Sequence, residues 1–166
     1  MGFASRSDLL ARSSAMRLAQ LAVPTDMNMV PDEALRVAIS GGDLSQYSQD
    51  VRQALTVALD TIDGALHDAD ALILSYGIPA TVQTTLLSRL ASTVALYYLQ
   101  GAERMTDDVK HAYEGAIATL KAHSKGDVNL IPPAATDPVL SDDVAIIVSS
   151  SRRYRSAWSD DDEVGL

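Results

Sequence analysis

The first candidates for chemistry in this chain are histidine and aspartate side chains on one predicted helix. His67 lies four residues after Asp63, and Asp68 and Asp70 follow it. A spacing of four residues puts Asp63 and His67 on one helix face, where they could hold a metal ion between packed helices. A second ligand pair on another helix is not visible, and the Glu-x-x-His pattern of di-iron bundles is absent. We therefore predict solvated charge here, with no metal site and no cofactor.

Motifs for phosphate binding and for nucleophilic catalysis are incomplete. Gly41 and Gly42 lack the lysine and the flanking spacing of a phosphate-binding loop. No serine lies in a Gly-x-Ser-x-Gly turn. The acidic pairs at 107–108 and 142–143 are typical of a helix start and a solvated turn. We predict no catalytic residue, and hence a protein that is not an enzyme.

The C-terminal residues have the composition of a protein-binding segment. Tyr154 and Trp158 are interleaved with arginines, and these residue types are the ones most enriched at interface hot spots. The acidic run 160–163 follows at once and would repel nucleic-acid phosphates. A disordered terminus is the alternative, but docking on an acidic or hydrophobic protein groove is the interpretation we prefer. The predicted interface consists of Arg152, Arg153, Tyr154, Arg155 and Trp158, with Val144, Ile146 and Val148 from a β-branched run suited to strand addition on a neighbour.

Three long amphipathic segments form the scaffold that carries these residues. Residues 48–74 show the longest helical pattern, with apolar residues at alternating steps of three and four. Segments 81–100 and 106–124 repeat the pattern, and short connections make the three segments antiparallel neighbours. A shorter helix or helix pair is predicted over 7–22, with Ser7 as its N-cap. The predicted bundle core consists of Val51, Leu55, Ile62, Leu86, Leu90, Val94, Tyr113 and Ile117.

The sequence changes character after Gly126. Val128, Leu130 and Ile131 are followed by Pro132, Pro133 and Pro138, which cannot continue a helix, so this segment reads as extended chain. We predict an all-α fold, an antiparallel helical bundle with a long extended C-terminal arm. The bundle domain would span residues 1–126 and the arm residues 127–166. Such an arm gains its order by packing on a partner.

Composition narrows the possible partners. The 166 residues carry a formal net charge of −9, which argues against binding of a nucleic-acid backbone by the domain as a whole. There is no cysteine, so disulfides and thiolate metal sites are excluded. No apolar run approaches the roughly 18 residues of a membrane span, so we expect no membrane partner.

Several stretches together resemble the Mu gp36-like family of tailed-phage proteins. They read Ser-Asp-Leu-Leu-Ala-Arg at 7–12, Ala-Leu-Asp-Thr-Ile-Asp-Gly-Ala-Leu at 58–66, and Leu-Ser-Arg-Leu-Ala-Ser-Thr-Val-Ala-Leu-Tyr-Tyr-Leu at 87–99. Segment 109–120 and the Ser-Arg-Arg-Tyr stretch at 151–154 fit the same pattern. The similarity spans most of the chain.

The resemblance implies a structural protein of the virion neck, similar to head-tail connector (adaptor) proteins. Such proteins form a ring, commonly of twelve copies, beneath the portal. The implied partners are the portal protein, neighbouring copies of the chain and a downstream neck or tail protein. DNA would pass through the ring without specific binding, which suits an acidic surface. The protein would be made in the cytoplasm of the host bacterium.

Two other functions stay open at this point. The first is a stopper or tail-completion protein of the neck that faces the tail. The second, from a different class, is a small helical enzyme or regulator, which would bind a metal or nucleotide.

Overall fold

Six helices account for most of the chain that the structure describes. The computed structural model describes residues 2–101 and 104–132, which belong to one unit spanning residues 1–132. The helices are α1 (Arg6–Arg12), α2 (Ala15–Ala22), α3 (Asp32–Ile39), α4 (Gln49–Ser75), α5 (Thr85–Gln100) and α6 (Asp107–Lys125). The predicted all-α class is confirmed for these residues. The predicted domain boundary at residue 126 stays a prediction, and most of the predicted arm lies outside the described residues.

Short polar residues precede α1, α2, α4 and α5 and accept backbone N–H groups of the first turn, whereas the residues before α3 and α6 make no such bond. Ser48 accepts from Val51 at the start of α4, and Thr84 accepts from Leu87 at 3.1 Å at the start of α5. Helix α5 therefore begins at Thr85 and not near residue 81 as predicted, because residues 76–84 form the reversal. These side-chain hydrogen bonds satisfy backbone N–H groups that have no partner within the helix.

The central helix of the bundle is α5. It packs against α4 on one side and α6 on another, and α1 lies across both α4 and α5. Helices α2 and α3 pack on each other and on α4. The short connections make α4, α5 and α6 successive antiparallel neighbours. With 27 residues, α4 is a rod of about 40 Å that the shorter helices cover along its length.

The buried face of α5 differs from the predicted one. Leu90 and Val94 are buried as part of the core, but Leu86 is 47% exposed and its neighbour Leu87 is fully buried. The prediction of Leu86 as a core residue was wrong. The pattern of leucines fits two faces, and the small residues Ala91 and Ala95 decide between them, because small side chains let the neighbouring backbones approach closely.

The other predicted core positions divide into two groups. Leu55 and Ile62 of α4 are fully buried. Val51, Tyr113 and Ile117 are partly buried and pack against the core from its edge. Helix α6 contributes only Ala116 and Leu120 as fully buried residues, since it covers one side of α5.

The N-terminal residues fasten α1 to the middle of α4. Phe3 is buried, and its backbone N–H donates to an Asp70 carboxylate oxygen at 2.8 Å. Arg6 pairs with both carboxylate oxygens of Asp63. Helix α1 begins after Ser5, not at Ser7 as predicted, because Ser5 and Asp8 form a reciprocal capping box.

Residues 127–132 pack on the bundle. Gly126 ends α6 in the left-handed conformation with φ 84°, and Asp127 N–H then donates to the Ala122 carbonyl at 2.9 Å. Leu130 is only 5% exposed and joins the hydrophobic core. The core of the described unit therefore draws on residues beyond α6.

Candidate protein-interaction site

All the interface residues predicted from the sequence lie outside the described residues. They are Val144, Ile146, Val148, Arg152, Arg153, Tyr154, Arg155 and Trp158.

The most distinctive surface is a groove beside the end of α2. Two adjoining hollows, of about 390 and 440 Å³, share the lining residues Leu21, Val23, Pro24, Thr25 and Arg104, so they form one continuous depression. We name it the α2 groove. Its outer part is lined by Arg17, Met27 and Met29, and its inner part reaches Thr61, Leu99 and Gln100. Hollows of this size are ordinary for binding sites.

Apolar side chains line much of the α2 groove. Leu21, Val23 and Pro24 come from the end of α2 and the turn that follows it. Met27 and Met29 lie in the next loop, and Met29 is 66% exposed. Methionine adapts its shape to a partner, which is why it recurs on protein-binding surfaces. Val30, directly after these methionines, is buried in the core and so attaches the end of the loop to the bundle.

A buried amide with an open hydrogen-bonding position lies at the inner end of the groove. Gln100, the last residue of α5, is only 7% exposed, and its side-chain Oε1 has no partner among the described residues. A buried acceptor without a donor costs about 1–3 kcal/mol. Gln100 is thus a polar group that the described unit has not satisfied, in contact with a hollow.

The groove is positively charged although the chain is acidic. Arg17 and Arg104 line it, and no aspartate or glutamate of the described residues does. The Arg104 guanidinium donates to the backbone carbonyl of Gln20, which holds this side chain against the end of α2. The α2 groove can therefore accept a carboxylate beside an apolar group.

A second, more polar cleft lies between α1 and α5. It has a volume of about 480 Å³ and contains Arg12 and Arg89, with the hydroxyls of Ser88 and Ser92. The Arg12 side chain donates to the Arg89 backbone carbonyl at 3.3 Å, and Ser92 donates to the Ser88 carbonyl at 2.7 Å. The first bond joins α1 to α5 and the second lies within α5, so we interpret the cleft as a packing seam between the two helices.

Asp8 lies in the same cleft and stays ionised. The hydroxyl of Ser5, followed by the backbone N–H of Ser5, holds the pKa of the Asp8 carboxyl below its usual range. Its charge is therefore engaged in capping α1.

Three tyrosines form an aromatic cluster where α5 meets α6. Tyr97 and Tyr113 are stacked with ring centroids 3.8 Å apart, and Tyr98 lies 6.2 Å from Tyr113. Tyr98 is 37% exposed. Burial of its ring, followed by the neighbouring Tyr113, raises the pKa of Tyr98 to about 12.

The Tyr98 phenol should therefore titrate later than an ordinary tyrosine. We expect Tyr98→Phe to remove a late component from the phenolate absorbance curve of the folded protein, recorded by rapid pH jump. Because the pKa of Tyr98 is about 12 in the folded state and about 10 when unfolded, stability present below pH 10 is lost as the pH rises toward 12. A curve that Tyr98→Phe leaves unchanged in shape would contradict this.

Asp63 and His67 were considered above as a possible pair of metal ligands, and Asp63 forms an ion pair with an arginine. Asp63 is bound by Arg6, whose hydrogen bonds hold the pKa of the Asp63 carboxyl below its usual range. No group of three or more potential metal ligands occurs within the described ranges. His67 instead lies beside Phe3 and Asp70 in a shallow surface hollow. As for membranes, none of the helices in the described part of the chain is long and apolar enough to span one.

Sequence reasoning did not identify the α2 groove. Its lining comes from α2, the following loop, α4 and the end of α5, which are up to about 80 residues apart in the chain. The one local signal was the loop at 25–30, which contains Met27 and Met29, because methionine is frequent on protein-binding surfaces. Gln100 gave no signal, since a glutamine at a helix end is ordinary on a solvated surface.

The described residues define a small helical bundle with surfaces suited to protein contact. The chain belongs to the family described as Bacteriophage Mu, Gp36, which matches residues 3–148. Membership indicates a bacteriophage structural protein associated with the virion. No curated protein matches the chain.

Proposed function

We propose that this chain is a head-tail connector, or adaptor, of a tailed-bacteriophage neck. It forms a ring of copies that docks on the portal and links the capsid to the tail. The observation that carries the proposal is the family match over residues 3–148, which takes in the whole helical bundle and part of the predicted arm. The protein acts by binding its neighbours and not by catalysis.

The proposed partners follow from the two parts of the chain. The bundle surface and residues 127–166 would hold three kinds of partner: the portal protein, neighbouring copies in a ring of about twelve, and a downstream neck or tail protein. A ring subunit needs contacts on several sides, and an extended arm adds contact area without enlarging the domain. Phage DNA would pass through the ring without specific binding, which a net charge of −9 favours.

Particle composition tests the proposal. In the phage that carries this chain, filled heads purified from a mutant unable to make tails should contain the protein, detected by mass spectrometry. Heads lacking the portal should not retain it. Its presence on free tails and its absence from filled heads would instead favour a stopper or tail-completion protein.

Deleting residues 133–166 tests the role of the arm. We expect the shortened chain to remain helical by circular dichroism but to be lost from portal-containing heads, because the predicted interface residues are removed. Retention of the shortened chain at the level of the full chain would contradict a role of the arm in attachment.

A further inference from the structure

We propose that the α2 groove binds the C-terminal segment 158–163 of a second copy of this chain. Trp158 would enter the apolar hollow, and the carboxylates that follow it would contact Arg17 and Arg104. The inference rests on the proposed ring, and it names the surface that receives the neighbour's arm.

The groove suits one large aromatic side chain. Leu21, Val23 and Leu99 line the inner hollow, which measures about 440 Å³. Burying an indole ring against them removes a large apolar area from water. Trp158 is the only tryptophan of the chain, and an acidic run begins two residues after it.

The unsatisfied amide of Gln100 matches the polar atom of that ring. Its Oε1 is a buried acceptor without a donor among the described residues. The indole Nε1–H is a donor only, and it usually finds an acceptor when buried. A tryptophan in the hollow would therefore satisfy two groups that are costly to bury alone.

Charge complementarity favours the acidic tail over other segments. Arg17 and Arg104 line the groove without an opposing carboxylate of the described residues. Asp160, Asp161, Asp162 and Glu163 begin two residues after Trp158. The arginines at 152–155 precede Trp158 and the acidic residues follow it. With Trp158 in the hollow, the basic and the acidic segments would therefore extend from it in opposite directions.

The tail is long enough to reach a neighbour. Trp158 lies 26 residues beyond Pro132, the last described residue. An extended chain covers at most about 3.3–3.6 Å per residue, which gives a limit of about 85–95 Å. That limit exceeds twice the length of α4, which is about 40 Å.

The single tryptophan provides the test. A trace amount of the full chain is mixed with increasing amounts of the full-length Trp158→Phe chain. That chain has no tryptophan, so excitation at the red edge, where tyrosine does not absorb, reports only the trace chain. We expect the tryptophan emission of the trace chain to shift to the blue and its quenching by acrylamide to fall in a saturable manner. The midpoint is the concentration of the Trp158→Phe chain that gives half of the full spectral shift. It should rise with salt concentration, because the contact includes exposed charges.

Variants of the tryptophan-free chain locate the contact. Arg104→Glu should raise the midpoint about tenfold or more, and Arg104→Gln, which keeps a donor for the Gln20 carbonyl, should raise it less. Asp161→Arg in the trace chain should partly restore binding to the Arg104→Glu chain. The matched control is Arg36→Glu, which makes the same charge change at an exposed position of α3 that does not line the groove. It should leave the midpoint within about twofold.

Three results would overturn the inference. The first is the absence of a spectral shift at any concentration. The second is a blue-shifted tryptophan in the trace chain alone, because it would put the tail in its own groove. The third is an equal rise of the midpoint for Arg36→Glu and Arg104→Glu, because it would mean that the two chains attract each other through their overall charge and not through the groove.

The result is separable from the proposed function. If the shift is absent but the chain is found on filled heads, the neck role stands and this inference fails. If the shift occurs as expected but the chain is absent from heads, the neck role fails and self-association through the groove stands.

Discussion

Replacing Leu87 by alanine is expected to lower the free energy of unfolding by about 2–5 kcal/mol, whereas the same change at Leu86 should alter it by less than about 0.5 kcal/mol. Leu87 is fully buried, and Leu86 is 47% exposed. The first substitution removes buried methyl groups and leaves a cavity between α5 and its neighbours, while the second shortens a side chain that already contacts water.

Urea unfolding followed by circular dichroism measures both variants. The two leucines are adjacent, have the same helix propensity and lie near the same end of α5, so each serves as the control of the other. Equal losses at the two positions, or a larger loss for Leu86→Ala, would mean that α5 is rotated about its axis relative to the structure described above.

A truncation after Gly126 is expected to be less stable than one after Pro132 by about 2–5 kcal/mol. The shorter chain lacks Leu130, which is 5% exposed and part of the core. It also loses the hydrogen bond from the Leu130 N–H to the His123 Nδ1 at 3.3 Å. The chain that ends at Pro132 keeps both.

The midpoint of urea unfolding compares the two truncated chains. Leu130→Ala in the full chain is the control, because it removes the side chain and leaves the rest of the segment in place. It should account for most of the difference between the truncations. If the two truncations unfold at the same urea concentration, the bundle ends at α6 and Leu130 adds nothing to its core.

The sequence predicted the helices well because helix formation is largely local. Residues 48–74 and 106–124 were predicted as helices, and the observed bounds are Gln49–Ser75 and Asp107–Lys125. Each has a polar residue before it and an apolar repeat within it, and both signals lie within a few turns of the chain. The start of α1 was predicted two residues late, because the reciprocal bonds between Ser5 and Asp8 make Ser5 the N-cap in place of Ser7.

Helix orientation was harder to predict. A leucine-rich helix such as α5 is apolar over more than one face, and the sequence alone favoured Leu86 over Leu87. The helices that contact α5, which are α1, α2, α4 and α6, determine its buried face, and Ala91 and Ala95 lie on that face, where small side chains allow close approach. Burial of Leu130 was missed for a similar reason, since a leucine in a short non-helical segment just before Pro132 and Pro133 has no periodic pattern.

The sequence by itself determined the all-α class, the positions of the long helices and the resemblance to a phage family. Each of these depends on residues close together in the chain or on their order. Only the tertiary structure decided which face of α5 is buried, that Leu130 belongs to the core, and that Arg104 and Gln100 meet the end of α2 in one groove. Those features depend on which distant segments pack together, and packing is set by the shapes and charges of surfaces that exist only once the helices have assembled.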